Sequence, residues 1–138
     1  MRTANVVLDT NGFIVSLIPH MKYYWVYERL LQGAYNLRVS NEILTEYQEQ
    51  LTTRYDLSFA DANLDFLLLL PNVTLVHPSY RWNLIKDDAD DNKFVDCAVA
   101  SNADYIVTHD RHFRVLNQVD FPKVRLVELD QFKELLYH

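Results

Sequence analysis

The chain has 138 residues, of which 49% are hydrophobic and 23% are charged, a composition that predicts one globular domain over residues 1–138 and excludes intrinsic disorder. Nineteen acidic against thirteen basic residues give a net charge of −6, which argues against a protein that coats nucleic acid by general attraction to phosphates. An enzyme acting on nucleic acid remains compatible with this charge, because bound divalent cations can offset several carboxylates.

The predicted elements alternate between strands and helices along the chain, with few glycines and no repeat. Strands are expected at 4–8, 37–39, 73–76, 105–108 and 124–127. Helices are expected at 12–18, 23–31, from Ser40 to about Tyr55, from Ser58 to Pro71, at about 92–101, at 111–116 and from Asp130 onward. Ser40 and Asp130 are predicted helix caps, and Ser58 with Asp61 resembles a capping box.

This alternation predicts an α/β fold with a central parallel sheet of four to five strands between two layers of helices. Ligands of such doubly wound sheets bind beyond the carboxyl ends of the strands, near the point where the strand order reverses. A Rossmann-type nucleotide binder is disfavoured, because no Gly-x-Gly loop follows the first strand.

Targeting and redox features are limited to one apolar run and one cysteine. The longest apolar run, Phe66 to Pro71, is far shorter than a membrane span, and Asp9 interrupts the apolar N-terminal stretch. Cys97 is the single cysteine and cannot form an internal disulfide. We therefore expect a cytoplasmic protein without membrane association, with Cys97 as a small buried residue.

Two aspartates follow predicted buried strands directly. Asp9 ends the first strand and Asp110 follows the fourth, each with polar neighbours. These neighbours are Thr10, Asn11, Thr108 and His109. Taken singly, each aspartate is explained as a helix cap. The shared position of the pair after two strands favours a common site at the edge of the sheet.

Glu46 lies within a predicted helix, one turn from Glu42 and close to one turn from Glu49. We expect Glu42 and Glu49 to face solvent. Glu46 neighbours Ile43 and Tyr47 angularly, which places it near the buried boundary and able to point into a cleft.

The densest acidic cluster is the run Asp87, Asp88, Asp90 and Asp91. Most of this run is expected to be a hydrated loop that also favours the first turn of the next helix. Asp96 interrupts the apolar part of that helix, and a buried carboxylate needs a partner. A salt bridge and a metal ion both satisfy this need, so both alternatives stay open.

Carboxylates carried on separate elements point to a particular chemistry. Oxygen ligands without a histidine or cysteine cage suit Mg²⁺ or Mn²⁺. Such ions can activate water and stabilise the leaving oxygen in hydrolysis of a phosphodiester. Since the chain has no glycine-rich phosphate loop, nucleic-acid hydrolysis is favoured over nucleotide binding.

The order of these motifs resembles the PIN-domain family over roughly the whole chain. The pattern comprises an aspartate after the first strand, a serine followed six residues later by a helical glutamate, an acidic helix start, and a strand closing in Thr-x-Asp. Here these motifs are Val7-Leu8-Asp9-Thr10-Asn11, Ser40 with Glu46, Asp90-Asp91-Asn92-Lys93-Phe94-Val95-Asp96 and Val107-Thr108-His109-Asp110.

The resemblance implies an endoribonuclease dependent on Mg²⁺ or Mn²⁺, and in particular a VapC-like toxin of a bacterial toxin–antitoxin pair. Its partners would be RNA, a cognate antitoxin protein and a second copy of the chain in a homodimer. The implied catalytic residues and metal ligands are Asp9, Glu46, Asp91 and Asp110, with Asp96 as a fifth acid. Thr10, Asn11 and Thr108 would orient these ligands.

Several points depart from the family pattern or leave it open. Many relatives have arginine where this chain has His109, and either Asp91 or Asp96 is the closer ligand. Residues expected to meet substrate phosphates are Lys93, His109 and Arg111. A zinc site built on His109 and His112 is disfavoured for want of further ligands. The aromatic run Tyr23, Tyr24, Trp25 and Tyr27 is expected to serve packing or dimerisation rather than base stacking.

Two other functions remain as alternatives. A phosphatase would use Asp9 as nucleophile, but such enzymes commonly place a second acid two residues on, where this chain has Asn11. A catalytically inactive module that binds protein or nucleic acid is compatible with the negative charge and with His109. Calorimetric titration with Mn²⁺ separates this module from the enzymes.

Overall fold

The computed structural model of the chain describes residues 2–137. Five strands are present: β1 (Asn5–Leu8), β2 (Asn36–Val39), β3 (Val73–Leu75), β4 (Tyr105–Val107) and β5 (Leu126–Val127). Six α-helices surround them: α1 (Thr10–Val15), α2 (Tyr24–Leu31), α3 (Asn41–Arg54), α4 (Leu57–Leu69), α5 (Asn92–Ala100) and α6 (Leu129–Leu136). Two 3₁₀ helices span Ala89–Asp91 and Arg111–Gln118.

The strands form one sheet in the order β3-β2-β1-β4-β5, and every neighbouring pair is parallel. The chain builds outward from β1 through β2 to β3, and then crosses back to place β4 on the other side of β1. The strand order therefore reverses between β1 and β4, which is where a doubly wound sheet opens a crevice for ligands. The predicted α/β architecture with a parallel sheet is confirmed.

Of the helix starts predicted at Ser40, Ser58 and Asp130, the first is confirmed and the other two are wrong. The Ser40 side chain accepts a hydrogen bond from the Ile43 amide, as expected for the start of α3. The predicted capping box at Ser58 is wrong, because Asp56 caps α4 by accepting from the Phe59 amide at 2.7 Å. Asp130 is not a cap either: α6 begins at Leu129 and Asp130 lies in its first turn.

Tyr47 joins α3 to the end of β1 at the centre of the molecule. Its ring is fully buried and stacks on Phe13, with ring centroids 4.2 Å apart. Its hydroxyl donates to the Leu8 carbonyl at 2.6 Å, so the one buried polar atom of the side chain is satisfied. Because Glu46 adjoins Tyr47 on α3, this anchor fixes the height of Glu46 above the sheet.

A second aromatic cluster holds the C-terminal helix. Phe132 is fully buried, and its ring lies 5.0 Å from that of Tyr35 and 5.8 Å from those of Tyr105 and Trp25. Trp25 of the aromatic run therefore packs inside the molecule, as the sequence predicts. The edge-on contacts of Phe132 with Tyr35 and Tyr105 contribute beyond the area they bury.

The single cysteine lies in the core. Cys97 is fully buried on α5, and burial raises the pKa of its thiol to about 12. The thiol therefore behaves as a small apolar group, as the sequence predicts. Across residues 2–137, no helix has both the length and the apolar character that a membrane crossing requires.

Candidate active site

Asp9 lies at the carboxyl end of β1, where two donors hold its carboxylate. Its Oδ1 accepts from the Gly12 amide at 2.7 Å, and its Oδ2 accepts from the Thr108 hydroxyl at 2.6 Å. A Cβ on Gly12 would come within 2.9 Å of Oδ1, so a glycine permits this close approach. Burial raises the pKa of Asp9, although the hydrogen bonds from Thr108 and Gly12 partly counter this rise. Asp9 therefore has two roles: it caps α1, and it faces the edge of the sheet.

Asp110 reaches the same edge from β4. Its backbone amide donates to the Thr108 hydroxyl at 3.0 Å, so one threonine links Asp9 to Asp110. The Asp110 Oδ1 accepts from the His112 amide at 2.9 Å and caps the 3₁₀ helix Arg111–Gln118. Helix capping and membership of a site are thus compatible for both aspartates.

Glu46 enters from α3, and two side chains hold it. Lys93 on α5 donates to Glu46 Oε1 at 2.6 Å, and the Thr10 hydroxyl donates to Oε2. The side chains of Lys93 and Glu46 are only 15% and 21% exposed, so solvent screens their ion pair less than a surface pair. Glu42 and Glu49 are exposed, as predicted, and Glu46 alone of the three faces the interior.

Asp91 completes the group at the start of α5. Its Oδ2 is buried and has no hydrogen-bond partner within residues 2–137. The pKa of Asp91 is raised to about 8, first by burial, then by the charges of Asp88 and Asp110, a hydrogen bond with Asp110 and the charge of Glu46. Without a cation, the Asp91 carboxyl is therefore protonated and uncharged below about pH 8.

These side chains line one open cleft of about 350 Å³. The residues around it are Asp9, Thr10, Asn11, Glu46, Asp91, Phe94, His109 and Asp110. Thr108 lies buried behind Asp9, and Lys93 reaches the cleft through its bond to Glu46. Nine of the eleven site residues that the sequence singles out, including four carboxylates, thus lie in or directly beside this cleft.

The structure does not bring Asp96 into this cleft. Its Oδ1 accepts from the Trp82 amide at 3.0 Å, and the side chain lines a separate pocket with Ser40 and Arg81. Burial raises the pKa of Asp96, while the Trp82 hydrogen bond and the Arg81 charge lower it. The partner that Asp96 needs is a loop amide, so at the acidic helix start Asp91 is the carboxylate that reaches the cleft.

The predicted phosphate-contacting residues have different placements. Lys93 is committed to Glu46, and His109 lines the cleft while its Nε2 accepts from the Leu129 amide at 3.4 Å. Arg111 is exposed and does not line the cleft. His109 and His112 do not converge on one zinc position, since His112 lies with a different group of side chains.

Sequence reasoning missed two residues beside the cleft, Asp88 and His112. Each offers a ligand atom within 4.8 Å of those of Asp91 and Asp110. Asp88 was expected to be a solvated loop residue, and His112 was weighed only with His109. The available signal was the spacing Asp-x-His at the start of the 3₁₀ helix, since the Asp110 cap folds the His112 backbone toward it.

The donor set suits a divalent cation. Carboxylate oxygens from the end of β1, from α3, from the start of α5 and from the end of β4 line one cleft, and one buried oxygen of Asp91 has no hydrogen-bond partner among residues 2–137. Hard oxygen donors of this kind are what Mg²⁺ and Mn²⁺ bind in proteins. A cation at the cleft would also offset the burial of Asp9 and the crowding at Asp91.

The Asp91 environment predicts a pH dependence of stability in the absence of divalent cations. Its pKa is 3.8 as a reference and about 8 in the folded chain, so between these values the folded state holds a proton that the unfolded state has lost. This contribution to stability is present below pH 4 and is lost as the pH rises through about 8. In EDTA, the unfolding free energy of wild type should therefore fall more steeply over this window than that of Asp91→Asn, by urea denaturation at each pH. Parallel profiles for the two proteins would contradict the assignment.

Comparisons with known proteins agree with this fold. A family model described as a PIN domain matches residues 5–112. The fold is similar to that in a structure of VapBC2 from Rickettsia felis bound to a DNA fragment from its promoter, with a TM-score of 0.62, 18% identity and coverage of 90% of this chain and 98% of that chain. It is also similar to VapBC-1 from nontypeable Haemophilus influenzae, with a TM-score of 0.61, 18% identity and coverage of 91% and 98%. A comparison with curated protein sequences gives no match. Because the family model matches most of its length, the chain belongs to the PIN-domain family.

Proposed function

We propose that this protein is a divalent-cation-dependent endoribonuclease that hydrolyses phosphodiester bonds of RNA. The observation that carries the proposal is the convergence of Asp9, Glu46, Asp91 and Asp110 in one open cleft at the point where the strand order reverses. Membership of the PIN-domain family supports the same reaction class.

Asp9, Asp91 and Asp110 would hold the cation, with Glu46 lining the same cleft. Mg²⁺ or Mn²⁺, when bound, supplies positive charge for the phosphate and lowers the pKa of water. The chain's own contribution is orientation: Thr108 and the Gly12 amide fix both oxygens of Asp9. A carboxylate held in this way needs little reorganisation when a charged ligand binds.

Lys93 and Thr10 position Glu46. Because Lys93 neutralises one carboxylate, the cleft presents less net repulsion to an incoming phosphate than four free acids would. His109 lies at the rim with a donor nitrogen available, since its Nε2 faces the Leu129 amide. These groups would orient the substrate backbone rather than read its bases.

The arrangement of Asp9 favours a hydrolase acting through water over a phosphatase with Asp9 as nucleophile. Asp9 is 9% exposed, and each of its oxygens already accepts a hydrogen bond. A nucleophilic carboxylate needs an oxygen open to in-line approach by phosphorus. Asn11 stands where a phosphatase commonly has its general acid.

The proposal includes a biological setting. The two similar structures named above are of VapBC proteins, which supports a cognate antitoxin protein as the partner of this chain. A homodimer of this chain is part of the same proposal. Co-expression with any small protein encoded directly beside this gene, followed by size-exclusion chromatography, tests both points, because separate elution of the two products at monomer size would contradict them.

The reaction class is tested by mapping products. Single-stranded RNA of mixed sequence, labelled at either end, should be cut in Mg²⁺ or Mn²⁺ to give 5′-phosphate and 3′-hydroxyl ends, because water attacks the phosphorus. DNA of the same sequence serves as the control for substrate class. Products ending in 2′,3′-cyclic phosphate, formed equally in EDTA, would contradict the proposal, since they arise from attack by the ribose 2′-hydroxyl.

A further inference from the structure

Asp96 lines a pocket that the proposed reaction does not use. This pocket lies beyond the carboxyl ends of β2 and β3 and has a volume of about 190 Å³. Sites that enclose a drug-sized ligand have about 300–1,000 Å³, so the occupant here is a single ring or small group. We call it the loop pocket, and the side chains around it include Ser40, His77, Tyr80, Arg81, Lys93 and Asp96.

Two side chains of α5 hold the loop between β3 and the first 3₁₀ helix, which forms one wall of this pocket. Asn92 accepts from the Ile85 amide at 2.9 Å and donates to the Ile85 carbonyl at 2.8 Å. Asp96 Oδ1 accepts from the Trp82 amide at 3.0 Å. The loop is therefore held in place although it contains no helix or strand, and the pocket is formed before a ligand binds.

Asp96 has acceptor positions that no part of residues 2–137 uses. The side chain is 9% exposed, and its carboxylate accepts one hydrogen bond within these residues, that of the Trp82 amide on Oδ1. A carboxylate has two oxygens with about four acceptor positions. Arg81, whose charge lowers the pKa of Asp96, makes its ion pair with Glu42 at 3.3 Å instead. Because buried polar groups are almost always paired, the free Oδ2 in this pocket indicates a ligand that donates hydrogen bonds.

Ser40 brings a hydrogen-bond donor to the same pocket. The residue is 3% exposed, and its hydroxyl oxygen accepts from the Ile43 amide at 3.3 Å. A hydroxyl that accepts one hydrogen bond can still donate another. The loop pocket therefore combines buried acceptors on Asp96 with a buried donor on Ser40.

The loop pocket adjoins both an exposed aromatic ring and the catalytic cleft. Tyr80 is 63% exposed, and its ring packs edge-on against Trp82 with centroids 4.6 Å apart. Exposed rings of this kind stack on the unpaired bases of single-stranded RNA. Lys93 lines the pocket and donates to Glu46 of the cleft at 2.6 Å. An RNA strand with a phosphate in the cleft therefore has a neighbouring base within reach of the pocket.

We propose that the loop pocket binds a guanine base of the RNA substrate close to the cleaved bond, with Asp96 accepting from both donors of its Watson–Crick edge. This inference rests on the proposed function, because it names the base that the ribonuclease prefers. Guanine is the base with two adjacent donors, N1–H and the 2-amino group, which match the two oxygens of a carboxylate. Its O6 acceptor lies beside them, where the Ser40 hydroxyl can donate.

The other bases fit a carboxylate less well. Adenine and cytosine each place an acceptor nitrogen beside their amino group, and uracil has a carbonyl oxygen on either side of its single N–H. Such acceptors would face the buried Asp96 oxygens without a partner, which costs binding free energy. The groups of the cleft orient the backbone, and base preference would arise in the loop pocket.

Cleavage of a random-sequence single-stranded RNA library in Mn²⁺, with the new ends sequenced, tests the base preference of the full chain. Guanine should be enriched at one fixed position relative to the cut. Asp96→Asn should lose this enrichment, because its amide group sets a donor against the donors of guanine. The Asn oxygen can still accept from the Trp82 amide, so the loop should stay in place. Asp65→Asn, exposed on α4, is the matched control and should keep the preference.

Two further measurements leave the protein unaltered. Inosine lacks the 2-amino group of guanine, so inosine at the preferred position of a defined RNA should lower kcat/KM by about tenfold or more, the scale of one hydrogen bond to a charged group. In EDTA, nuclear magnetic resonance titration of ¹⁵N-labelled protein with guanosine 5′-monophosphate should shift the Trp82 amide signal. Inosine 5′-monophosphate should require about tenfold higher concentration for the same shift.

The outcomes separate this inference from the proposed function. Cation-dependent cleavage without a guanine preference, or with a preference that Asp96→Asn retains, would overturn the guanine pocket and leave the nuclease proposal standing. If the wild-type chain cleaves no RNA, the proposed function fails and the titration still decides the pocket. A Trp82 shift at lower concentrations of the guanosine than of the inosine nucleotide would support it, and equal shifts or none would overturn it.

Discussion

Asp9→Asn is expected to reduce RNA cleavage by on the order of 10³-fold, the scale of losing one preorganised electrostatic group at a reacting centre. The substitution removes one negative charge from the cation ligands and changes few contacts. The Asn oxygen can still accept from the Gly12 amide, and the new amide group can donate to the Thr108 hydroxyl. Initial rates on labelled RNA at saturating Mn²⁺ measure the loss.

The fold of Asp9→Asn should persist. Burial raises the pKa of Asp9, so the neutral amide avoids a cost that the carboxylate carries, and the unfolding midpoint should be no lower than that of wild type in EDTA. Asp65→Asn is the matched control, because Asp65 is exposed on α4 and lines no part of the cleft. Equal rates for Asp9→Asn and Asp65→Asn would remove Asp9 from the site.

Phe132→Ala is expected to lower the unfolding free energy by about 3–5 kcal/mol, the usual cost of deleting a buried aromatic ring. The ring is fully buried against Tyr35, Tyr105 and Trp25, so its loss leaves a cavity between α6, α2 and the sheet. Because domains of this size are stable by about 5–15 kcal/mol, this one change removes a large share of the total. Urea denaturation followed by far-UV circular dichroism measures the change.

Leu135→Ala is the control on the same helix. Leu135 is 36% exposed, and its truncation should cost under about 1 kcal/mol. A loss for Phe132→Ala no greater than for Leu135→Ala would show that α6 is not held by this aromatic cluster.

The types of the secondary-structure elements can be predicted from the sequence better than the order of the strands in the sheet. The β-branched runs ending at Leu8 and Val107 identify buried strands, because few other structures accommodate them. The order β3-β2-β1-β4-β5 depends on pairings between residues a hundred positions apart, such as Leu8 with Val107, which no local pattern encodes. The prediction of a helix start is wrong where two capping residues lie close together, as Asp56 and Ser58 do before α4.

The same limit applies to the candidate site. Asp9, Asp110 and Glu46 follow from their positions at strand ends and on the inner side of a helix. The partner of Asp96 could not be predicted, since it is the amide of Trp82 in a loop without regular structure. The approach of His112 to Asp88 depends on two 3₁₀ turns meeting, and only the folded chain defines this contact.

The most direct test of the account is cleavage of a mixed single-stranded RNA panel by the wild-type protein in Mg²⁺, Mn²⁺ or EDTA. The protein should first be unfolded and refolded, so that no bound inhibitor is carried over. We predict cleavage in Mn²⁺ or Mg²⁺, none in EDTA, and recovery when the cation is returned in excess. Cleavage at the same rate in EDTA, or no cleavage by folded protein under any of these conditions, would contradict a cation-dependent ribonuclease built on this cleft.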